Sequence, residues 1–193
     1  MKLSRFLALA VFALPVLAHA HPGHDGGHDL TWDFASGAMH PLSGWDHLLA
    51  MIAVGLWAAQ LGGRSRWLVP TTFVSVMALG AMLGHAGFNL SGVEQGIAAS
   101  IFVLGLLIAG AVKLPALASM ALVGAFALFH GVAHGAEMPV SASGLSYGFG
   151  FVAATILLHL VGLGLGSALK NHEKTARFAG GAVAIAGAVA FAL

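Results

Sequence analysis

The stretch PALASMALVGAFALFHGVAHGAE, Pro115 to Glu137, is apolar or small along its length and closes with two histidines and a glutamate. A helix needs about 20 apolar residues to cross the ~30 Å hydrocarbon core of a bilayer. The stretch has that length and therefore predicts a membrane-spanning helix. His130 and His134 are four residues apart, and Glu137 follows three later, so all three share one helix face.

Similar apolar runs recur along the chain, and only 8% of its 193 residues are charged. That is about a third of the charged share of a soluble domain. Continuous apolarity without alternation indicates helices rather than a β-barrel. We therefore predict an all-α polytopic membrane protein, a bundle of six transmembrane helices. The predicted spans are Met39–Leu61, Trp67–Phe88, Val93–Val112, Pro115–Ala136, Ser146–Leu169 and Arg177–Leu193.

Glycines spaced four residues apart occur on three of these spans, and such small residues let helix backbones approach closely in lipid. We expect them to serve helix packing. The pairs are Gly80 and Gly84, Gly131 and Gly135, and Gly162 and Gly166.

The first 20 residues have the pattern of a cleavable signal peptide. Lys2 and Arg5 precede the apolar run FLALAVFALPVLA, and a small-x-small cleavage site follows at residues 18–20. An uncleaved first transmembrane helix is the alternative. The shortness of the apolar run and Pro15 within it favour cleavage.

A histidine-rich leader follows at residues 21–36, and residues 37–193 form the predicted transmembrane domain. The leader histidines His21, His24 and His28 are equally compatible with a segment that captures metal ions and with a merely solvated tail.

All six basic residues beyond the leader fall on one side of the predicted bundle: Arg64, Arg66, Lys113, Lys170, Lys174 and Arg177. The positive-inside rule makes that side cytoplasmic. The mature N-terminus is then periplasmic, as signal cleavage independently requires. We predict a multi-pass protein of the bacterial inner membrane.

Ionisable side chains within the spans are concentrated in the outer half and the middle of the predicted bundle. Such groups are costly in lipid, and a shared function is the default hypothesis. The candidate metal-binding residues are His40, Asp46, His47, His85, His130, His134, Glu137 and His159.

Helical spacing gives the first-span candidates different roles. Adjacent Asp46 and His47 point about 100° apart, so Asp46 either shares a metal lying between them or orients His47 from behind. His40 lies about 10 Å from His47 along one helix, with Pro41 suited to the first turn, and is interpreted as an outer ligand. His85 and His159 are each equally well read as ligands or as packing residues.

Imidazole and carboxylate without thiolate favour a borderline divalent cation, namely nickel, cobalt, zinc or iron. The chain has no cysteine, so a thiolate site is excluded. A net charge of +1 with no basic patch predicts no nucleic-acid partner.

The first-span motif His40-x5-Asp46-His47 and the fourth-span motif FHGVAHGAE resemble the two signatures of the HupE/UreJ family of nickel and cobalt permeases. The likeness covers the whole membrane region. It implies secondary transport of Ni2+, or Co2+, into the cytoplasm, where it supplies hydrogenase or urease assembly. It carries His40, Asp46, His47, His130, His134 and Glu137 over as candidate ligands, whereas His85 and His159 depend mainly on their depth in the spans.

Two other functions use the same residues. An intramembrane metal-dependent hydrolase would retain a metal with an open position for water. A haem protein is less compatible with the adjacent carboxylates. We predict a permease and not an enzyme, without a resident cofactor and with a divalent metal ion and the lipid bilayer as partners. The oligomeric state, a homo-oligomer included, stays open.

Overall fold

The computed structural model describes residues 33–138 and 142–193, and these form seven α-helices. The all-α prediction is therefore confirmed. The predicted signal peptide and most of the histidine-rich leader lie outside the described residues. The helices are α1 (Phe34–Ser43), α2 (Trp45–Leu61), α3 (Ser65–His85), α4 (Val93–Ala109), α5 (Ala116–Glu137), α6 (Ala142–Ala168) and α7 (Glu173–Ala192).

Four of the described helices, α3, α5, α6 and α7, are long and apolar enough to cross a membrane. The pair α1 and α2 adds a fifth candidate if it is counted as one broken span. At 17 residues, α4 is a shorter apolar helix. The chain is thus a multi-pass membrane protein with four to five candidate spans by this measure, where the sequence predicts six.

The predicted first span, Met39–Leu61, is not one continuous helix. Helices α1 and α2 meet at an angle of 84°. Gly44 joins them in an extended conformation. Pro41, which cannot donate a backbone hydrogen bond, lies near the end of α1 rather than in a first turn. Helix α1 also begins inside the predicted leader, because Asp33 caps it through reciprocal bonds with Ser36.

Helix α2 lies at the centre of the bundle. It is hydrophobic on every side, and twelve of its seventeen residues are buried, the pattern expected of a helix surrounded by others. Trp57 is fully buried, and its indole nitrogen donates a hydrogen bond of 3.0 Å to the carbonyl oxygen of Val112. The start of α2 therefore reaches the interior of the bundle, where a polar group is screened from lipid.

The helices pack mainly in pairs: α3 packs on α5, α2 on α6 and α4 on α7, while α1 lies against α6. The glycine prediction is confirmed. A Cβ atom on Gly131 or Gly135 would collide with the backbone of α3 at Met77 or Ala81, and one on Gly162 with α2 at Ile52. Close backbone contact holds α5 firmly against α3.

The basic residues gather at one end of the bundle, which we call the basic end. There the Arg66 guanidinium donates to the Ser167 hydroxyl at 3.0 Å, and the Arg177 guanidinium donates to the Ala109 carbonyl at 2.9 Å. These contacts bring the start of α3, the end of α6, the start of α7 and the end of α4 together. The opposite end, which we call the histidine end, contains the junction of α1 and α2 and the end of α5.

Candidate metal site

Three buried histidines converge near the histidine end. His47 lies in the first turn of α2, and His130 and His134 lie one turn apart on α5. One ligand nitrogen from each lies within 4.8 Å of those of the other two. We call this group the histidine cage. The four-residue spacing on α5, with α5 fixed against α3, turns both imidazoles toward α2.

The cage is shielded from solvent and poor in protein hydrogen bonds. His130 is 0% exposed, His134 4% and His47 8%. Within the described part of the chain, His47 Nε2, His130 Nδ1 and both ring nitrogens of His134 have no hydrogen-bond partner. An unsatisfied buried polar group costs about 1–3 kcal/mol. Because the three rings also bring one nitrogen each within 4.8 Å of one another, a divalent cation bound there would satisfy buried nitrogens that the described residues leave without a hydrogen bond.

Asp46 supports the cage from behind. Its Oδ1 accepts hydrogen bonds from the backbone N–H of His47 at 2.8 Å and from Nδ1 of the same residue at 2.7 Å. These bonds leave Nε2 of His47 as the nitrogen with a free lone pair. Of the two roles that the sequence left open for Asp46, the geometry favours orientation of His47. Gly44 leaves room for this pair, since a Cβ there would lie 3.0 Å from Asp46 Oδ1.

A second group, which we call the outer cluster, shares His134 with the cage. It consists of His40, His134 and Glu137, again with ligand atoms within 4.8 Å of one another. His134 Nδ1 lies 3.8 Å from Glu137 Oε2, and the Glu137 side chain is 56% exposed. The expected separation along one helix is wrong because His40 and His47 lie on different helices: the bend between α1 and α2 brings their ring centroids to 6.2 Å.

His159 lies beyond the cage, on the middle of α6, and is 3% exposed. The ring of Phe73 separates it from the cage, with its centroid 5.5 Å from His130 and 5.2 Å from His159. Neither ring nitrogen of His159 has a hydrogen-bond partner among the described residues. His159 also lines a cavity of about 240 Å³ with Thr71 and Ser75. It belongs to neither three-residue group.

His85 is exposed at the end of α3 and also belongs to neither group. It lines an apolar groove of about 330 Å³ whose wall includes His134, Met82 and Tyr147. The structure therefore brings His40, His47, His130, His134 and Glu137 together, sets Asp46 behind His47, and leaves His85 and His159 at separate positions.

Sequence reasoning missed the aromatic walls of the site. The ring centroids of Phe151 and His134 are 4.3 Å apart, and those of Tyr147 and His40 are 5.9 Å apart. Phe73 was missed as well. Aromatic residues are ordinary in apolar spans, so no local signal separates these three from lipid-facing rings.

Comparison with known proteins agrees with the two motifs. The profile of the family described as HupE / UreJ protein matches residues 8–190. The chain belongs to the HupE/UreJ family. A HupE/UreJ relative, Protein HupE of Rhizobium leguminosarum bv. viciae, is 48% identical over 191 residues, covering 97% of this chain and 97% of the relative. No solved structure matches the chain. The resemblance drawn from the motifs is confirmed, and HupE/UreJ membership makes the chain a transport-related membrane protein rather than an enzyme.

Proposed function

We propose that this protein is a secondary permease that moves Ni2+, or Co2+, from the periplasm to the cytoplasm through the histidine cage. One observation carries the proposal: three imidazoles from two helices bring one ring nitrogen each within 4.8 Å of one another inside the bundle, and each ring has a buried nitrogen without a hydrogen-bond partner among the described residues. Imidazole nitrogen without thiolate suits these borderline divalent cations.

The two groups supply successive steps. The outer cluster offers an exposed carboxylate, Glu137, which attracts a hydrated cation at the histidine end. The cage then replaces bound water with imidazole nitrogens. A neutral imidazole has a single lone-pair nitrogen, so His134 serves either the outer cluster or the cage, but not both at once. Transfer by this shared ligand keeps the ion bound strongly enough to enter and weakly enough to leave.

His159 provides the next position inward. The ring of Phe73 lies between the cage and His159, and both buried nitrogens of His159 lack a hydrogen-bond partner among the described residues, which suits transient contact with the ion. The direction of transport rests on the charge asymmetry. All six basic residues of the described chain lie at the basic end, which the positive-inside rule makes cytoplasmic. The inner-membrane location, the periplasmic N-terminus and the cleaved signal peptide are parts of the same proposal. An intramembrane hydrolase is not favoured, because the family is one of transport proteins.

Uptake of radioactive nickel by proteoliposomes that contain the purified protein tests the proposal. Wild-type protein should take up nickel. In His47→Ala and in His134→Ala the nickel flux should be at least about tenfold lower than in the wild type, because each variant lacks one ligand of the cage. His172→Ala is the matched control, since this exposed histidine lies at the basic end. Size-exclusion profiles verify that the variants are folded. Absence of divalent-cation flux in the wild-type protein, or equal flux in the cage variants, contradicts the proposal.

A further inference from the structure

A serine on a third helix contacts the cage. Ser100 of α4 is fully buried, with its Oγ 2.6 Å from the carbonyl oxygen of Ile97 and 3.1 Å from Nε2 of His130. Both distances are within hydrogen-bonding range. Helix α4 supplies none of the ligand groups of the described residues, so this hydroxyl is its polar contact with the cage.

The direction of these two bonds follows from a count of hydrogens. A hydroxyl has one hydrogen to donate, and a backbone carbonyl can only accept. The short contact with Ile97 therefore uses the hydrogen of Ser100. The contact with His130 is then a hydrogen bond only if Nε2–H of His130 donates to the Ser100 oxygen.

This direction determines the tautomer of His130. In a neutral imidazole with the hydrogen on Nε2, the lone pair is on Nδ1. Nδ1 is the nitrogen of His130 that is buried without a partner among the described residues. The ring centroids of His130 and His47 lie 5.2 Å apart, so a cation bound between the two rings would be within reach of this lone pair.

We propose that Ser100 is a positioning residue of the metal site: it holds His130 in the Nε2–H tautomer and so presents Nδ1 to the cation. This inference rests on the proposed function. Asp46 accepts the Nδ1–H of His47 and so holds His47 in the opposite tautomer, in which Nε2 of His47 is presented to the cation. The two fixed histidines leave His134, whose ring nitrogens make no hydrogen bond to a described residue, as the cage member able to change partners.

Ser100→Ala tests the inference. It removes the acceptor for Nε2–H, so His130 no longer prefers the tautomer that offers Nδ1. Nickel affinity of the purified protein, measured by calorimetric titration, should fall by about 10- to 100-fold, the usual effect of losing a group that orients a metal ligand. Ser100→Thr keeps the hydroxyl and should restore most of the affinity.

Ser119→Ala is the matched control. Ser119 is also fully buried, and among the described residues its hydroxyl bonds only to carbonyl oxygens just before its own helix, Leu114 at 3.4 Å and Pro115 at 3.1 Å. This variant removes a buried hydroxyl without touching the cage. Its nickel affinity should equal that of the wild type.

Nitrogen NMR of histidine-labelled wild-type protein and of Ser100→Ala, both without metal, supplies a readout that a merely structural serine would not change: the tautomer preference of His130, present in the wild type and lost in the variant. The His130 signal, assigned by its loss in His130→Gln, should show a protonated Nε2 and an unprotonated Nδ1. The reverse tautomer in the wild type, or unchanged nickel affinity in Ser100→Ala, overturns the inference. A wild-type protein that shows the expected tautomer but transports no cation contradicts the proposed function and leaves the assignment of the tautomer intact.

Discussion

Two helix pairs in this bundle are built in the same way but carry different groups. In the pair α3 and α5, Gly135 lies directly against the backbone of Ala81, and in the pair α4 and α7, Gly105 lies directly against Ala184. Helix α5 then adds His130 and His134 to its buried face, whereas the buried residues of α4 and α7 are apolar or small apart from Ser100. Glycine packing thus brings the helices together in both pairs, whereas buried ring nitrogens without hydrogen-bond partners among the described residues occur only in the pair that carries the proposed metal site.

The largest expected effect comes from breaking the glycine contact in each pair. Gly135→Ala and Gly105→Ala each force a methyl group into a neighbouring backbone, and overpacking of this kind costs about 1–3 kcal/mol or more. Both variants should unfold at lower temperature in detergent. Gly135→Ala should lose more nickel affinity than Gly105→Ala, because it displaces the helix that carries two cage histidines, whereas α4 carries only the positioning residue Ser100. Equal loss of affinity in both variants would show that the two pairs do not differ in function.

A second test removes the charge behind His47. Asp46→Asn replaces the carboxylate that accepts the Nδ1–H of His47, so we expect nickel affinity to fall by about 10- to 100-fold in a titration. Glu173→Gln is the control from α7. Its pair with Arg177 is exposed, and exposed pairs contribute about 0–1 kcal/mol. Affinity in that variant should be unchanged, and an equal fall in both would assign the effect to overall charge.

A third test separates binding from passage. His159→Leu keeps a buried side chain of similar size beneath Phe73 but removes both ring nitrogens. We expect nickel affinity of the cage to be preserved and nickel flux into proteoliposomes to fall several-fold. Thr155→Val is the control, because Thr155 lies one turn away on α6 and, within the part of the chain that the structure describes, its hydroxyl bonds only to Phe151 of its own helix. Unchanged flux in His159→Leu would make His159 a packing residue.

The smallest expected effect concerns the joint between α1 and α2. Gly44→Ala adds a methyl group 3.0 Å from Asp46 Oδ1 and 3.1 Å from His47 Nδ1, closer than such contacts usually allow. The pair should shift by a few tenths of an ångström and nickel affinity should fall by a few-fold. Gly181→Ala on α7 meets open space and should change nothing. Wild-type affinity in Gly44→Ala would show that the joint tolerates a side chain.

Much of the fold follows from local pattern. The predicted spans Trp67–Phe88 and Pro115–Ala136 correspond to α3 and α5 within a few residues, because about 20 apolar residues in lipid have no other way to satisfy their backbone. The predicted convergence holds for His47, His130 and His134, whereas Asp46 turned out to lie behind His47. The bend at Gly44 was not predicted, since one proline and one glycine are each compatible with a continuing helix in lipid.

The amino-acid sequence by itself determined a helical membrane protein with its basic residues on one side, and it put two histidines and a glutamate on one face of α5, because hydrophobic length and helical periodicity are local properties. Only the tertiary structure decided which nitrogens meet. The packing of α5 against α3 and α4 brings Ser100 to His130, and the position of α1 and α2 divides the candidates into a cage and an outer cluster that share His134. Those contacts join residues far apart in the chain, and their geometry depends on how closely the glycines let the helices approach.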